Sequence, residues 1–167
     1  VGGSIETREE FIVNTPEQYM GVTGVEVKTA MEAVSVDASA KTVTFANGET
    51  VSYDKLIVAT GATPFVPNVA GTDKNGVFTM RTPDDAIGLR AYVDENKCHS
   101  AVVVGAGFIG LEIAENLIAK GLKVTVVDMA DQVMPGLFDT EMADYIRRHL
   151  QAKGIRVVTG AALEEIL

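Results

Sequence analysis

Residues 101–110 read AVVVGAGFIG, and they give the strongest indication of the fold of the chain. The branched apolar run at 101–104 is typical of a buried strand, and the glycines that follow it have the spacing G-x-G-x-x-G. The apolar segment 111–117 predicts a helix directly after the third glycine. The next apolar segment, Lys123–Val127, predicts a second strand. The stretch therefore predicts a βαβ unit.

The three glycines each have a physical reason in such a unit. Gly105 permits the tight turn after the strand, Gly107 lets the backbone approach a pyrophosphate, and Gly110 lets helix and strand pack closely. The start of the helix offers unpaired N–H groups and the positive end of the helix dipole, which favour an anion. We therefore predict a dinucleotide site here. A glycine-rich turn that binds nothing is the alternative, and the complete βαβ pattern argues against it.

Asp128 follows the second strand at the position where an acidic residue meets a ribose 2′-OH. A carboxylate accepts hydrogen bonds from the ribose diol and repels a 2′-phosphate. No arginine follows Asp128 until Arg147. The sequence therefore predicts that NAD(H) is favoured over NADP(H).

The composition excludes several classes of function. The chain has 167 residues and a formal net charge of −9, and its lysines and arginines do not cluster. We therefore expect no nucleic-acid partner, because neutralising phosphates needs concentrated basic charge. We also expect no membrane partner and a cytoplasmic location, because no apolar run reaches spanning length and no leader opens the chain.

Cysteine and histidine are scarce. The single Cys98 excludes an internal disulfide framework, and with only His99 and His149 beside it we expect no zinc site and no metal. A nucleophile and base formed by Cys98 and His99 is an alternative, but sequence neighbours rarely face each other. We interpret Cys98 as a buried or linker thiol.

The first part of the chain has a helix start and a series of strand patterns. Thr15 and Gln18 predict a capping box at the start of a short helix, with Thr15 as its N-cap and Pro16 as its first residue. Strands are predicted over 25–29, 31–36, 41–46, 50–53 and 56–59. The middle three form an antiparallel meander with Asn47-Gly48 as a two-residue hairpin turn, and 56–59 reads as a strand covered on both faces.

The second part continues the α/β pattern. Thr82 and Asp85 predict a second capping box, which opens a helix that ends near Lys97. Asp139 or Thr140 caps a later helix that ends before Gly154. The later helix is predicted to turn four residues inward, namely Met142, Tyr145, Ile146 and Leu150. A strand over 155–159 completes β-α-β-α-β. Residues 24–29 (GVEVKT) match residues 154–159 (GIRVVT) in pattern, which suggests a duplicated nucleotide-binding domain.

The chain resembles the pyridine nucleotide-disulfide oxidoreductases in four sequence segments, at residues 1–5, 53–64, 81–86 and 105–116. Within that family it looks most like coenzyme A-disulfide reductase, NADH oxidase and NADH peroxidase. The resemblance implies two Rossmann-like domains, and electrons that pass from NAD(P)H through FAD to a redox cysteine and onward to disulfide, oxygen or peroxide. It makes 1–72 the C-terminal part of an FAD-binding domain and 73–167 an NAD(P)H-binding domain, incomplete at its C-terminus.

The resemblance also implies roles for individual residues. Thr60 and Gly61 match a motif whose backbone passes close to the flavin nucleotide. Phe108 matches an aromatic residue that shields the flavin, and Ile109 flanks NADH. Glu112 matches a glutamate that reaches the nicotinamide, although a first-turn glutamate is also favoured by the helix dipole alone.

Several family features have no match in this sequence. They are the first glycine motif that holds FAD, the redox cysteine and the C-terminal dimerisation domain, and the chain does not start with Met. We interpret the chain as a piece of a longer, homodimeric enzyme, and we assign it no catalytic residue. We expect it to be inactive alone and not to retain stoichiometric FAD.

A permuted sheet and two other functions remain open. Residues 56–59 are predicted beside 101–104 in one parallel sheet, within a chain or exchanged between two chains. A non-catalytic nucleotide-sensing module is one alternative function. A dehydrogenase that uses NAD without flavin is the other, and it leaves Thr60 and Gly61 unexplained.

Overall fold

The computed structural model describes residues 1–3, 5 and 7–167. The chain divides into two compact units: the meander unit, Ile12–Ala62, and the α/β unit, Val1–Phe11 with Thr63–Leu167. The division into an FAD-binding part over 1–72 and an NAD(P)H-binding part over 73–167 stays a prediction. In the described part of the chain, no helix has the length and apolar character needed to cross a membrane.

The meander unit holds one helix and an antiparallel sheet. Helix α1 spans Pro16–Thr23, and strands β1, β2 and β3 span Ala33–Asp37, Thr42–Phe45 and Thr50–Ser52, in the sheet order β1-β2-β3. The predicted capping box is present: the Thr15 hydroxyl accepts from the Gln18 N–H, and the Gln18 side chain accepts from the Thr15 N–H. The predicted meander is confirmed.

The β2–β3 turn has three loop residues, so the predicted two-residue turn is wrong. The Phe45 N–H donates to the Glu49 carbonyl at 2.9 Å, and Gly48 donates back to the Phe45 carbonyl. Of Asn47 and Gly48, only Gly48 has a positive φ, at 86°. The Asn47 side chain accepts from the Glu49 N–H, which satisfies that donor without a left-handed Asn47.

Two predicted strands do not form. Residues 25–29 and 56–59 lie outside every strand of the described chain, and β4 (Ser100–Val104) pairs with β5 (Lys123–Val127) alone. An apolar run becomes a strand only where a neighbour accepts its backbone hydrogen bonds. The pairing of 56–59 with 101–104 within one chain is therefore wrong, and an exchange between two chains stays a prediction.

The α/β unit contains a parallel sheet. A 3₁₀ turn spans Glu9–Phe11, and the later elements are α2 (Pro83–Glu95), β4, α3 (Phe108–Ala119), β5 (Lys123–Val127), α4 (Thr140–Ala152) and β6 (Arg156–Val158). The sheet order is β4-β5-β6, with Val102 opposite Thr125 and Thr125 opposite Arg156. The predicted α/β fold class, a Rossmann-like parallel sheet with helices on both faces plus a three-stranded antiparallel meander, is confirmed.

The core lies around the central strand β5. Val124 and Val126 of this strand are buried, and they pack with small and aliphatic residues of the neighbouring helices and turns. The other members of the buried cluster are Val93, Ala106, Ala114, Leu117, Leu122, Val133, Ala143, Leu150 and Ile155. We call the segment Gly105–Gly107 between β4 and α3 the glycine turn. Because Ala106 belongs to the buried cluster, the core extends to this turn.

Helix α4 presents a different face to the core from the one predicted. Asp139 caps the helix as predicted, and Leu150 is buried with Ile146 half-buried. Met142 and Tyr145 are 47% and 64% exposed, so their predicted inward position is wrong. The small Ala143, three residues before Ile146 and seven before Leu150, sets the buried stripe instead.

Helix α3 touches the end of β4 through Gly110. A Cβ built on Gly110 would overlap the Gly105 carbonyl oxygen and lie 3.1 Å from its carbonyl carbon and 3.3 Å from Val103 Cγ1. The overlapping atoms are backbone, so they cannot move aside as a flexible side chain does. Gly110 is therefore required by the packing of the βαβ unit.

We predict that Gly110→Ala lowers the free energy of unfolding by at least about 1–3 kcal/mol, because the added methyl must displace backbone. Gly107→Ala is the matched control: at Gly107 φ is −84° and a Cβ would meet no atom within 4 Å. Its free energy of unfolding should stay close to wild type. Urea unfolding measures both, and equal losses in the two variants would contradict this packing.

Helix α2 begins with the predicted capping box. The Asp85 carboxylate accepts from the backbone N–H groups of Thr82 and Arg81 at 2.7 and 2.9 Å. The Thr82 hydroxyl accepts from the Asp85 N–H at 3.3 Å. The two backbone donors hold the pKa of the Asp85 carboxyl below its ordinary value.

A lowered pKa makes this cap acid-sensitive. The contribution of the cap to the free energy of unfolding is complete above about pH 3.9, the pKa of the carboxyl in the unfolded chain. It is lost as the pH falls through the lower pKa of Asp85 in the folded chain. We predict that Asp85→Asn is less stable than wild type at pH 6, and that the difference shrinks as the pH falls through the lowered pKa of Asp85 and the carboxylate is protonated. Thermal unfolding across this range measures the difference. A difference independent of pH would rule out a role for the carboxylate charge.

Candidate functional site

The glycine turn is anchored to the sheet on its strand side. The Gly105 N–H donates to the Val127 carbonyl at 2.8 Å, which continues the β4–β5 pairing into the turn. Gly105 has a φ of 109°, a conformation that residues with a side chain rarely adopt. Ala106 is completely buried. The turn is therefore a rigid extension of the core.

Gly107 occupies open space. It is the N-cap of α3 with extended backbone angles, φ −84° and ψ −175°, that any residue adopts. Since a Cβ there would meet no atom within 4 Å, neither conformation nor packing within the chain requires glycine. This is the geometry expected where a ligand approaches the backbone.

The N-terminus of α3 also differs from its counterparts. Side chains of Thr15, Thr82 and Asp139 cap helices α1, α2 and α4, whereas Gly107 provides no side-chain cap. The first turn of α3 contains no acidic residue. The first N–H groups of a helix have no partner within it. Together with the helix dipole they make this end of α3 suited to an anion such as a pyrophosphate.

Three of the candidate residues line the outer side of α3. Phe108 and Ile109 are 63% and 61% exposed. Glu112, four residues after Phe108, is also exposed and shares its helix face. Glu112 lies beyond the first turn, so its assignment to that turn is wrong and the dipole does not account for it. Phe108 and Glu112 thus form one exposed face beside the glycine turn.

Asp128 lies against the glycine turn, at the position where the sequence predicts an acid that binds ribose. Its Oδ2 accepts from the Ala106 N–H at 2.6 Å, and its Oδ1 accepts from the Ala130 N–H at 2.8 Å. A carboxylate has about four acceptor positions, so two hydrogen bonds leave capacity for a ligand hydroxyl. The Asp128 carboxylate thus connects the end of β5 to the glycine turn that follows β4.

The charged residues that follow Asp128, up to Arg148, are negative or already paired. Asp131 is the other charged residue of the 128–138 segment. The next cations along the chain, Arg147 and Arg148, both form ion pairs with Asp144. Arg147 holds the pKa of the Asp144 carboxyl below its usual value. These arginines are engaged within α4, which disfavours their use as a phosphate clamp.

Thr60 and Gly61 belong to the meander unit. Both are exposed, and Gly61 has a left-handed φ of 75°. Their proximity to a flavin nucleotide stays a prediction from the family resemblance.

Sequence reasoning missed the segment that follows Asp128. Val133 and Met134 are buried, and the Met134 N–H donates to the Ala106 carbonyl at 2.9 Å. The available signal was Pro135-Gly136, a pair favoured at the centre of a type II turn. It marks a turn but does not show which backbone group the preceding residue contacts.

Cys98 is a free, half-buried thiol in the link between α2 and β4. Its N–H donates to the Val93 carbonyl at 3.1 Å. Over residues 1–3, 5 and 7–167, no three His, Cys, Asp or Glu side chains group closely enough to hold a metal ion.

Known proteins share this architecture. The family model described as pyridine nucleotide-disulphide oxidoreductase matches residues 3–167. An NADH oxidase of Methanocaldococcus jannaschii is 37% identical over 171 aligned positions, which cover 100% of this chain and 38% of that protein.

Two solved structures superpose closely. A NAD-dependent persulfide reductase from A. fulgidus has a TM-score of 0.89 at 36% identity, over 99% of this chain and 32% of that one. A water-forming NADH oxidase from Lactobacillus brevis, solved with NADH bound, has a TM-score of 0.86 at 30% identity, over 99% and 37%.

The chain spans less than two fifths of the length of each of these proteins. The match nevertheless runs along nearly the whole chain, and the resemblance drawn from residues 1–5, 53–64, 81–86 and 105–116 is confirmed. With its glycine turn, open helix N-terminus and adjacent Asp128, the chain belongs to the pyridine nucleotide-disulphide oxidoreductase family, whose members are flavin-dependent NAD(P)H oxidoreductases.

Proposed function

We propose that the α/β unit binds NAD(H) at the glycine turn. The observation that carries this proposal is Gly107, a glycine that neither conformation nor packing requires, at the start of the uncapped helix α3. A pyrophosphate there would accept hydrogen bonds from the first N–H groups of the helix. Asp128, bound to the Ala106 N–H, would accept from the ribose diol.

The exposed face of α3 would serve the nicotinamide end. Phe108 offers a flat apolar surface, and Ile109 widens it. Glu112 adds an exposed carboxylate on the Phe108 side of the helix, and no ion pair or hydrogen bond of that carboxylate occurs within the described residues. These residues would orient the nicotinamide, while bound NADH would supply the hydride.

We propose NADH as the preferred form. A 2′-phosphate would face the Asp128 carboxylate, and such like-charge contacts disfavour a wrong ligand. Arg147 and Arg148 are held by Asp144. The names of the three relatives, each of which specifies NADH or NAD, support the same preference.

The chain would then act as the NADH-binding region of a longer flavin-dependent oxidoreductase. In that protein electrons would pass from NADH via FAD to a disulfide, oxygen or peroxide. Thr60 and Gly61, exposed with a left-handed glycine, fit a backbone that passes close to the flavin nucleotide. Family membership supports this role, and a homodimeric, cytoplasmic enzyme is part of the same proposal.

We predict that NADH binds the chain more tightly than NADPH, and that Asp128→Asn narrows the affinity ratio about tenfold, or about 1.4 kcal/mol. The substitution removes the charge while retaining an acceptor oxygen. Fluorescence titration with both nucleotides measures the ratio.

Asp131→Asn is the matched control, because it removes one charge from an exposed residue of the same segment. Its ratio should equal that of wild type. Equal affinities for NADH and NADPH in the unmodified chain would contradict the role of Asp128, and no binding of either at millimolar concentration would contradict the proposed function.

We predict that Gly107→Ala weakens NADH binding at least about tenfold. Its methyl group would occupy the space proposed for the pyrophosphate. The control is Gly88→Ala in α2, where a Cβ also meets no atom within 4 Å. Gly88→Ala should leave NADH binding unchanged and raise stability by up to about 1 kcal/mol through helix propensity. Calorimetric titration that finds equal NADH affinities in the two variants would show that nothing approaches Gly107.

A further inference from the structure

Met134 has an unusual backbone conformation for a buried residue. Its φ is 51°, in the left-handed region that residues other than glycine rarely adopt. The other positive-φ residues with side chains in the described chain, Ala30, Lys41 and Lys97, are exposed. Met134 is only 6% exposed. Strained backbone of this kind persists where its surroundings hold it and concentrates at functional sites.

The residues after Met134 close a turn on its carbonyl. The Leu137 N–H donates to the Met134 carbonyl at 3.2 Å, which closes a turn with Pro135 and Gly136 at its centre. Gly136 has a φ of 76°, and proline followed by a left-handed glycine suits a type II turn. Proline also disfavours the right-handed helical region for the residue before it. Pro135 therefore disfavours relaxation of Met134 to an ordinary helical conformation, and the turn fixes the position of the Met134 carbonyl.

The strained residue contacts the glycine turn. The Met134 N–H donates to the Ala106 carbonyl at 2.9 Å, and Asp128 Oδ2 accepts from the N–H of the same alanine. Because Ala106 is completely buried, both of its backbone polar groups need protein partners. The segment 128–134 supplies both. Ala106 is thus held from two sides, directly before Gly107.

We propose that Met134 is a positioning residue for nucleotide binding, which acts through its backbone N–H on Ala106. The hydrogen bond orients the peptide between Ala106 and Gly107, and so aims the open N–H groups at the start of α3. This inference rests on the proposed function, in which those groups hold the pyrophosphate of NAD(H). The Pro135-Gly136 turn is the part of the chain that keeps the Met134 N–H in place.

Gly136→Ala tests the proposal, because a methyl group disfavours the left-handed conformation that the turn requires. A Cβ at Gly136 would meet no atom within 4 Å, so the substitution acts through the backbone and not through a clash. Gly154→Ala is the matched control, with a φ of 88°, equally open space and a position after the end of α4. We expect comparable losses of thermal stability in both variants, and an NADH dissociation constant about tenfold higher in Gly136→Ala alone.

Met134→Gly separates the backbone of Met134 from its side chain. Glycine keeps the N–H donor and adopts a positive φ without strain, so we expect NADH affinity within about twofold of wild type even if stability falls. Hydrogen exchange gives a readout that needs no nucleotide. The Met134 amide should be protected in wild type and Gly154→Ala and should exchange faster in Gly136→Ala.

Two results would overturn the proposal. One is the same NADH affinity in Gly136→Ala and Gly154→Ala, and the other is a loss of affinity in Met134→Gly as large as that in Gly136→Ala. If the wild-type chain binds no NADH, the proposed function fails. Amide exchange then still tests the contact, because an unprotected Met134 amide in wild type contradicts the hydrogen bond to Ala106.

Discussion

The close approach of helix α3 to strand β4 is the constraint on which the site depends. Gly110 packs on the Gly105 carbonyl so tightly that a single methyl group cannot be added. This contact places the helix N-terminus directly after the strand, with a short turn between them. Since the turn includes the buried Ala106, the hydrophobic core and the candidate site share one rigid element.

The glycines at 105, 107 and 110 differ in what requires them. Gly105 and Gly110 are explained by backbone conformation and by contact, whereas Gly107 is explained by neither. The other α-helices described begin with side-chain caps, and α3 does not. Helix α3 thus starts without a side-chain cap, at a glycine that neither packing nor conformation requires. Such a helix start is suited to bind an anion, which supplies the missing acceptor.

The sequence predicted the parts of the structure that depend on local chemistry. The capping boxes at Thr15 and Thr82, the βαβ unit and the position of Asp128 follow from residue type and spacing, and the structure contains them. The prediction of strands at 25–29 and 56–59 was wrong because a sequence pattern alone does not provide a pairing partner. The buried face of α4 and the contact of Met134 with Ala106 depend on residues distant in sequence, which periodicity does not show.

NMR mapping of NADH on the backbone amides of the chain shows directly whether the start of α3 binds the nucleotide. If the first N–H groups of α3 hold the pyrophosphate, addition of NADH shifts the amide resonances of Gly107, Phe108 and Ile109 most. The amides of β1 to β3 then serve as internal references and stay unchanged. Absence of shifts at the start of α3 with millimolar NADH, or larger shifts elsewhere, would show that the start of α3 does not hold the pyrophosphate.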